Sequence, residues 1–446
     1  MTNSNTKIPI TPEPGITPGF LPAAAFLHMG ATAVGTFDLE TESRVLMPME
    51  LGHGNRDALL LVRLHGQPLG MVHLRGEPLA LGKAELTELV EQQLEARVRS
   101  HENSFGCVMS DPRCPSSVAP DVPGSVAVII PTVGRTELLD RCLTSLTPIA
   151  RGGVEIMVVD NRPAARTREL VSNWSARDRR VRYVGEPRPG LSVARNRGLA
   201  ETQAEFVAFV DDDVVVDQAW LTWLLAPYAD ARVAATSGMV LPRELVTAAQ
   251  KRFEQYAGFC KGFDRRSYDL QANRSDERLL YPYWGGIFGS GNSMSFRRAE
   301  LVAAGGFDPA LGAGSIAAAG EDMDAMSNAI LRGGQLVYEP RSLCWHEHRR
   351  DEEGLRNQLF SYGVGLTAML TKAITHDVKF ASASARSVPV AWRMRRRRAA
   401  RSSAVAALPR ELARIERQGM LRGPIMYMRA VHSARRRRLD EVINGG

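Results

Sequence analysis

The chain has 446 residues, of which 44% are hydrophobic and 24% charged, and its formal net charge is +7. Its length is about three times that of a typical 150-residue domain, so it can hold one large α/β unit with appendages or two to three domains. The composition excludes collagen-like, coiled-coil and wholly disordered chains. No apolar run approaches the roughly 18 to 20 residues that cross a bilayer, so we expect no membrane-spanning segment.

Residues 1–40 are predicted to be an irregular leader, because they are rich in proline, threonine and small residues without a sustained period. The apolar stretch from Phe20 to Val34 is broken by Pro22 and His28 and follows a polar segment with a single lysine. This is not the pattern of a secretory signal peptide, and we therefore expect a cytoplasmic protein.

Residues 41–100 predict a small β-β-α accessory unit. Two strands, Ala58 to Leu64 and Leu69 to Arg75, precede a helix from Lys83 to Arg99 whose apolar residues repeat every four positions. Residues 101–124 contain four prolines and predict a linker.

The five cysteines are odd in number and scattered, which does not favour disulfides. Cys107 and Cys114 lie seven positions apart with no second close pair, which is a poor pattern for a zinc site.

Residues 125–348 alternate between apolar, β-branched strands and helices. The strands are Ser125 to Ile130, Val154 to Val159, Val181 to Val184 and Phe206 to Val210, and the helices are Thr136 to Leu146, Arg166 to Trp174 and Leu191 to Glu201. The alternation predicts an α/β fold with a Rossmann-like, mostly parallel sheet and flanking helices. In such sheets the functional site lies at the carboxyl ends of the strands.

Three acids, Asp211 to Asp213, follow the last of these strands directly. Side chains alternate along extended backbone, so Asp211 and Asp213 are expected on one side and Asp212 on the other. Two carboxylates on one side suit a Mg²⁺ or Mn²⁺ ion that also binds a diphosphate. The alternative is a solvated acidic turn.

Six motifs in this order resemble those of the family 2 glycosyltransferases. They are Val128-Ile129-Ile130-Pro131-Thr132, Val158-Val159-Asp160-Asn161, residues 189–198 (PGLSVARNRG), Val210-Asp211-Asp212-Asp213, Gly305-Gly306-Phe307-Asp308 and Gly320-Glu321-Asp322-Met323-Asp324. The resemblance covers about residues 125–348. It implies a glycosyltransferase A-type fold and the use of a nucleotide-sugar donor.

The resemblance implies roles for residues that bind the donor. Pro131 and Thr132 are expected in the loop after the first strand, near the nucleoside, and Asp160 at the base or ribose. Arg195 matches the basic residue of an Ala-Arg-Asn motif and is expected on phosphate oxygens. The residues alone leave two alternatives open, an Asx turn at Asp160 and local ion pairing of Arg195.

Catalytic acids are implied in the same way. Asp211 and Asp213 match the Asp-x-Asp pair that holds metal and diphosphate, and Asp212 is counted among the donor-binding residues. A later acid removes the acceptor proton, and Asp322 is the best match, with Glu321 second. Acids in the first turn of a helix also compensate the helix dipole, which is the alternative without a catalytic role.

Two further segments predict contacts at the same site. The glycine-rich loop from Tyr281 to Met294 carries Trp284, whose ring can stack on a sugar or simply pack within the loop. His346 and His348 follow a predicted strand, Gln335 to Cys344. Either can be a further metal ligand, and surface histidines are the alternative.

Residues 349–446 predict a helical, Arg-rich C-terminal region. From residue 386 onward there are sixteen arginines and four acids, including the blocks Arg395 to Arg398 and Arg435 to Arg438. Helical stretches are predicted at Pro409 to Arg417 and Pro424 to Val431. Peripheral contact with an anionic membrane and a solvated tail are the two interpretations, and nucleic acid is not favoured.

The sequence therefore predicts a metal-dependent glycosyltransferase that moves a sugar from a nucleotide-diphosphate sugar to the hydroxyl of a glycan, lipid-linked or small-molecule acceptor. Inversion at the anomeric carbon is implied by the resemblance. One rival is a nucleotidyltransferase, but residues 131–135 offer only one glycine and one arginine for a triphosphate. The other is a non-catalytic nucleotide-sugar or glycan-binding protein, which needs no base.

Overall fold

The computed structural model describes residues 31–47, 57–75, 81–122, 124–150, 152–274, 281–283, 285–376 and 410–444. The chain divides into two compact units. The first comprises Met1–Pro120, Leu241–Asp264 and Glu347–Glu352, and the second comprises Asp121–Val240, Arg265–His346 and Glu353–Gly446. The predicted linker contains the first crossing between the units, but the sequence did not predict that the chain returns twice to the first unit.

The first unit is built on a four-stranded sheet with the order β2-β1-β3-β4. Its elements are β1 (Thr32–Asp38), β2 (Ser43–Leu46), β3 (Asp57–Leu64), β4 (Gln67–Arg75), α1 (Lys83–Phe105) and α6 (Ala248–Ala257). Leu86, Val90 and Leu94 of α1 pack against the sheet residues Phe37 and Leu60 in one apolar core. The apolar residues that repeat along α1 therefore form its buried face, as the sequence predicted. The sequence did not predict strands β1 and β2.

The second unit is built on a nine-stranded sheet with the order β11-β13-β10-β12-β8-β5-β6-β7, and β9 pairs with β13. The strands are β5 (Val126–Thr132), β6 (Glu155–Asp160), β7 (Val181–Gly185), β8 (Phe206–Val210), β9 (Val214–Val216), β10 (Val233–Pro242), β11 (Arg266–Tyr268), β12 (Ser293–Arg297) and β13 (Gln335–His346). The remaining helices are α2 (Thr136–Leu146), α3 (Ala165–Arg177), α4 (Leu191–Ala200), α5 (Trp220–Leu225), α7 (Arg298–Ala303), α8 (Glu321–Leu331), α9 (Glu352–His376) and α10 (Arg410–Asn444).

Strand β5 lies between β6 and β8 and is parallel to both. Its residues are buried on both faces, as expected for a continuous apolar run in a parallel sheet. The predicted α/β fold class, with a parallel sheet core and flanking helices, is confirmed, and antiparallel strands extend the sheet beyond β8. Because parallel strands end at the same edge, Thr132, Asp160 and Asp211 are brought to one side of the sheet.

Helices α9 and α10 are in close contact at two glycines. A Cβ atom on Gly363 or Gly419 would collide with the backbone of the other helix, so only glycine allows this approach. The sequence predicted a break before Pro424, but α10 continues through this proline. Proline has no N–H, so the carbonyl of Met420, four residues earlier, loses its helical donor. The hydroxyl of Thr367 donates to that carbonyl at 2.9 Å. In the part of the chain that the structure describes, no helix is long and apolar enough to cross a bilayer.

We expect Thr367→Val to lower the free energy of unfolding by about 1–3 kcal/mol, because the substitution keeps the side-chain shape and leaves the Met420 carbonyl without a donor. Thermal unfolding should show the loss. Thr375→Val is the matched control, since among the described residues the hydroxyl of this exposed threonine contacts only Thr371, Lys372 and His376 of its own helix. An equal midpoint for the two variants would contradict the assignment.

Candidate active site

The three acids after β8 lie in a turn. The N–H of Val214 donates to the carbonyl of Asp211 at 3.2 Å, so the backbone here is not extended. Asp212 is fully buried and accepts a 2.6 Å hydrogen bond from the Thr132 hydroxyl. Thr132 and Pro131 are the last two residues of β5, not part of the following loop as predicted. Because the backbone of the three acids turns, their side chains do not follow the alternation that was expected for extended backbone.

Arg135 pairs with two of these acids and was not predicted as a site residue. Its Nη1 donates to Asp213 Oδ2 at 2.7 Å, and its Nη2 contacts Asp212. The signal that could have identified it is its place just after β5, because β5 and β8 are neighbours and the acids after β8 need a positive partner.

Arg195 is buried, with 1% of its surface exposed, and joins three parts of the second unit. It donates to Asp211 Oδ1 at 3.0 Å and to Glu321 Oε1 at 2.8 Å. It also donates to the carbonyl of Gly291 at 3.3 Å. Arg195 is thus ion-paired, but with acids 16 and 126 positions away and not locally on its own helix. These bonds link the strand-end acids to the acids of α8.

Two asparagines hold α4 and thereby Arg195 in place. Asn161 accepts from the N–H of Gly190, at the start of α4, at 2.8 Å. Asn196 donates to the carbonyl of Phe307 at 2.7 Å and accepts from its N–H at 2.8 Å. This pair of bonds joins the Ala-Arg-Asn motif to the Gly-Gly-Phe-Asp motif, a role of Asn196 that the sequence did not reveal.

The three acids in the first turn of α8 have different partners. Glu321 is bound to the buried arginine described above, and Asp324 is bound to Lys372 at 2.7 Å. Asp322 is half-buried and accepts from the N–H of Gly291 at 2.7 Å. Among the residues that the structure describes, Asp322 is the one of the three acids that forms no ion pair, although the charge of Arg195 also acts on it.

Burial raises the pKa values of several acids at this site. It raises the pKa of Asp211 to about 6 and that of Asp212 to about 7, with the neighbouring Asp213 adding to both. Burial and the nearby Asp322 raise the pKa of Glu321 to about 7, although the Arg195 guanidinium opposes the shift. The site thus concentrates more negative charge than the two arginines offset, which favours the binding of a cation.

The two candidate histidines have different surroundings. His346 Nε2 lies 3.4 Å from Asp213 Oδ1, and both side chains are nearly buried. His348 Nε2 lies 2.5 Å from Glu254 Oε1 within the first unit, and its ring packs on Phe253. The structure therefore leaves His346 as the candidate ligand and pairs His348 with an acid elsewhere.

Asp211 and Asp213, the two acids expected to bind a metal together, contact different partners. Asp213 faces His346, whereas Asp211 is turned to Arg195. In the described ranges, these three side chains do not bring their ligand atoms all within 4.8 Å of one another.

Asp160 ends β6 as predicted, and its carboxylate is used by the fold. It accepts from the N–H groups of Arg162 and Ala164 at 3.1 and 3.2 Å and from the Tyr183 hydroxyl at 3.1 Å. The Asx-type turn that the sequence left open is present. Trp284 lies outside the described residues.

Comparison with known proteins identifies the central part of the chain. Residues 127–300 match the model of the family described as glycosyl transferase family 2. The chain contains a family 2 glycosyltransferase domain. This confirms the family that the six motifs predicted. The domain therefore belongs to the predicted enzyme class, the glycosyltransferases.

Two relatives match over about half of the chain. The pre-mycofactocin glycosyltransferase of Mycobacterium tuberculosis is 28% identical over 50% of this chain and 43% of its own length. The succinoglycan biosynthesis protein ExoM of Rhizobium meliloti is 27% identical over 50% of this chain and 71% of its own length. The chain thus spans less than half of the mycobacterial relative.

Among solved structures, the mannosyltransferase PcManGT from Pyrobaculum calidifontis, in complex with GDP-Man and Mn²⁺, is similar with a TM-score of 0.47. It is 18% identical, over 70% of this chain and 90% of its own.

We expect Gly291→Ala to impair any turnover by the glycosyltransferase domain by at least tenfold, because an added Cβ would lie 3.0 Å from both Arg195 Nη2 and Asp322 Oδ2. Steady-state kinetics would measure the loss. Gly286→Ala is the matched control in the same loop, since a Cβ there meets nothing within 4 Å. Equal rates for the two variants would show that the Arg195 and Asp322 geometry does not matter.

We expect Glu321→Gln to change how stability depends on pH. The pKa of Glu321 is raised to about 7 in the folded chain, so the folded state holds its proton more tightly than the unfolded state does. Its contribution to stability is therefore full below the ordinary pKa of about 4.3 and is lost as pH rises to about 7, at about 1.4 kcal/mol per pH unit. Denaturant unfolding at pH 5, 6 and 7 should show a shallower decline for the variant than for the parent, and identical slopes would contradict the assigned pKa.

Proposed function

We propose that this protein transfers a sugar from a nucleotide-diphosphate sugar to an acceptor hydroxyl, with help from a divalent cation. The observation that carries the proposal is the pairing of buried Arg195 with both Asp211 and Glu321. It supports one site in which the strand-end acids and the acids of α8 act on the same substrate pair. The family membership of residues 127–300 supports the same reaction class.

Asp322 is the proposed general base. Its Oδ2 accepts from the N–H of Gly291 at 2.7 Å and its Oδ1 from the N–H of Met323 at 2.8 Å. The side chain is half-buried, and each carboxylate oxygen has a second lone pair that can accept from an acceptor hydroxyl. Glu321, the second candidate, is nearly buried and bound to Arg195, which supports a positioning role for it.

Asp213 and His346 are the proposed protein ligands of a Mg²⁺ or Mn²⁺ ion. Their facing atoms are 3.4 Å apart, close to the separation of about 3 Å between neighbouring ligands of an octahedral magnesium ion. The excess of carboxylates around them fits a cation. Such an ion supplies charge stabilisation to a departing diphosphate. Asp211 is held beside this pair by Arg195, and Thr132 and Arg135 orient Asp212 and Asp213.

In the proposed reaction, Asp322 removes the acceptor proton as the acceptor oxygen attacks the anomeric carbon. The bond between that carbon and the diphosphate oxygen breaks on the opposite side, so the anomeric centre inverts. The donor contacts of Pro131, Asp160 and Trp284, and a peripheral membrane contact of the Arg-rich tail, stay predictions. The acceptor, whether glycan, lipid-linked or a small molecule, also belongs to the proposal.

The test is an assay of nucleoside diphosphate release from a panel of nucleotide sugars with Mn²⁺ or Mg²⁺. We expect Asp322→Asn to lower the transfer rate by about 10²–10⁴-fold, the usual contribution of a general base. Asp213→Ala should lower transfer and weaken the dependence on added metal.

Glu300→Gln is the control, because Glu300 is an exposed acid of α7. If no donor is consumed by the parent protein, or if both site variants transfer sugar as fast as the control, the proposed function is wrong. Formation of product with retained anomeric configuration would reject the in-line displacement alone.

A further inference from the structure

The first unit contains a cluster of two histidines and two cysteines. His65, His101, Cys107 and Cys114 are all buried, and one nitrogen or sulfur atom from each lies within 4.8 Å of the corresponding atoms of the other three. Among the residues that the structure describes, this is the one group of three or more His, Cys, Asp or Glu side chains that meets this distance. The glycosyltransferase site described above does not include it.

The separations within the cluster match those around a tetrahedral zinc ion. With ordinary zinc bond lengths, two nitrogens lie about 3.4 Å apart, a nitrogen and a sulfur about 3.6 Å, and two sulfurs about 3.8 Å. The observed distances are 3.0 Å between His65 Nδ1 and His101 Nε2, 3.8 and 3.5 Å for two nitrogen–sulfur pairs, and 3.3 Å between the two Sγ atoms. Each differs from the ideal value by about half an ångström or less.

A hydrogen bond determines which ring nitrogen of His65, at the hairpin tip, can bind a metal. His65 Nε2 lies 3.0 Å from the carbonyl of Met109, which can only accept, so Nε2 carries the proton and Nδ1 presents a lone pair to the cluster. Zinc-bound histidines are oriented in this way by an outer carbonyl or carboxylate. The N–H of Met109 in turn donates to Glu102 at 3.0 Å, which holds the backbone of Met109 in place.

The backbone around the cluster directs all four side chains inward. His65 has φ 51° and Gly66 φ 75°, the positive values of a two-residue hairpin turn, yet His65 is 1% exposed although hairpin tips usually face water. Gly106 caps the end of α1, and its φ of 63° turns the chain so that Cys107 returns toward His101. Two turns with positive φ, at the hairpin tip and after α1, thus bring side chains to one buried point.

We propose that His65, His101, Cys107 and Cys114 bind a structural zinc ion that fastens the β3–β4 hairpin to the end of α1 and the segment after it. Two cysteines and two histidines form a set typical of zinc. Four protein ligands leave no open position, so the site is structural and takes no substrate. The proposal does not depend on the transferase reaction.

The test is zinc analysis of the full chain, purified without chelators or a histidine tag, by inductively coupled plasma mass spectrometry. We expect about one zinc ion per chain, released when a mercurial reagent blocks the thiols. Cys107→Ala and His101→Gln should lose the zinc. Cys260→Ala, which removes another buried cysteine of the same unit, should keep it. Asp213→Ala should also keep it, which separates this ion from the cation proposed at the transferase site.

A second measurement covers the case in which the ligand variants fail to fold. The parent chain grown with Co²⁺ should show thiolate-to-cobalt charge transfer and the absorption of a tetrahedral ion. Metal-free parent protein after growth with added zinc, a disulfide between Cys107 and Cys114 in peptide mapping, or zinc retained in Cys107→Ala would each overturn the proposal.

Discussion

The structure of the second unit depends on the burial of one guanidinium group. Arg195 is almost completely enclosed, and a buried cation is stable only when it is paired and hydrogen-bonded. Asp211, Glu321 and the Gly291 carbonyl satisfy this requirement from three different parts of the chain. The end of β8, the glycine-rich loop and the start of α8 must therefore fold together. The same bonds set where Asp322 stands, since Gly291 donates to it.

This arrangement leaves an excess of negative charge at the site. Burial raises the pKa values of Asp211, Asp212 and Glu321 because carboxylates crowd together in a region that little water reaches. The folded chain is destabilised by this crowding near neutral pH, and a divalent cation or a cationic group would relieve it. A site that is incomplete alone and completed by its ligand is what binding of metal and diphosphate requires. Structural stability and ligand affinity are thus opposed at the same residues.

Much of the fold could be predicted because its signals are local. The buried apolar runs of β5 and β8 and the four-residue repeat in α1 are visible without knowing any partner. Arg135, Asn161 and Asn196 could not be assigned in this way, because each bonds with groups far away in sequence. A turn at the three acids was considered only as a solvated alternative, because consecutive aspartates do not show that two of them are buried.

The cluster of two histidines and two cysteines was missed for the same reason. Cys107 and Cys114 alone are a weak signal, and the partner histidines are remote: His65 and His101 lie 36 positions apart and meet only when the hairpin tip folds against the end of α1. A small sheet covered by a helix has a limited apolar core, and a metal staple adds stability where burial alone is marginal. The chemistry of the two proposed ligand sets also differs. Thiolate and imidazole in a closed set select zinc, whereas carboxylate and imidazole beside an accessible acid suit a harder ion that must share its coordination with diphosphate.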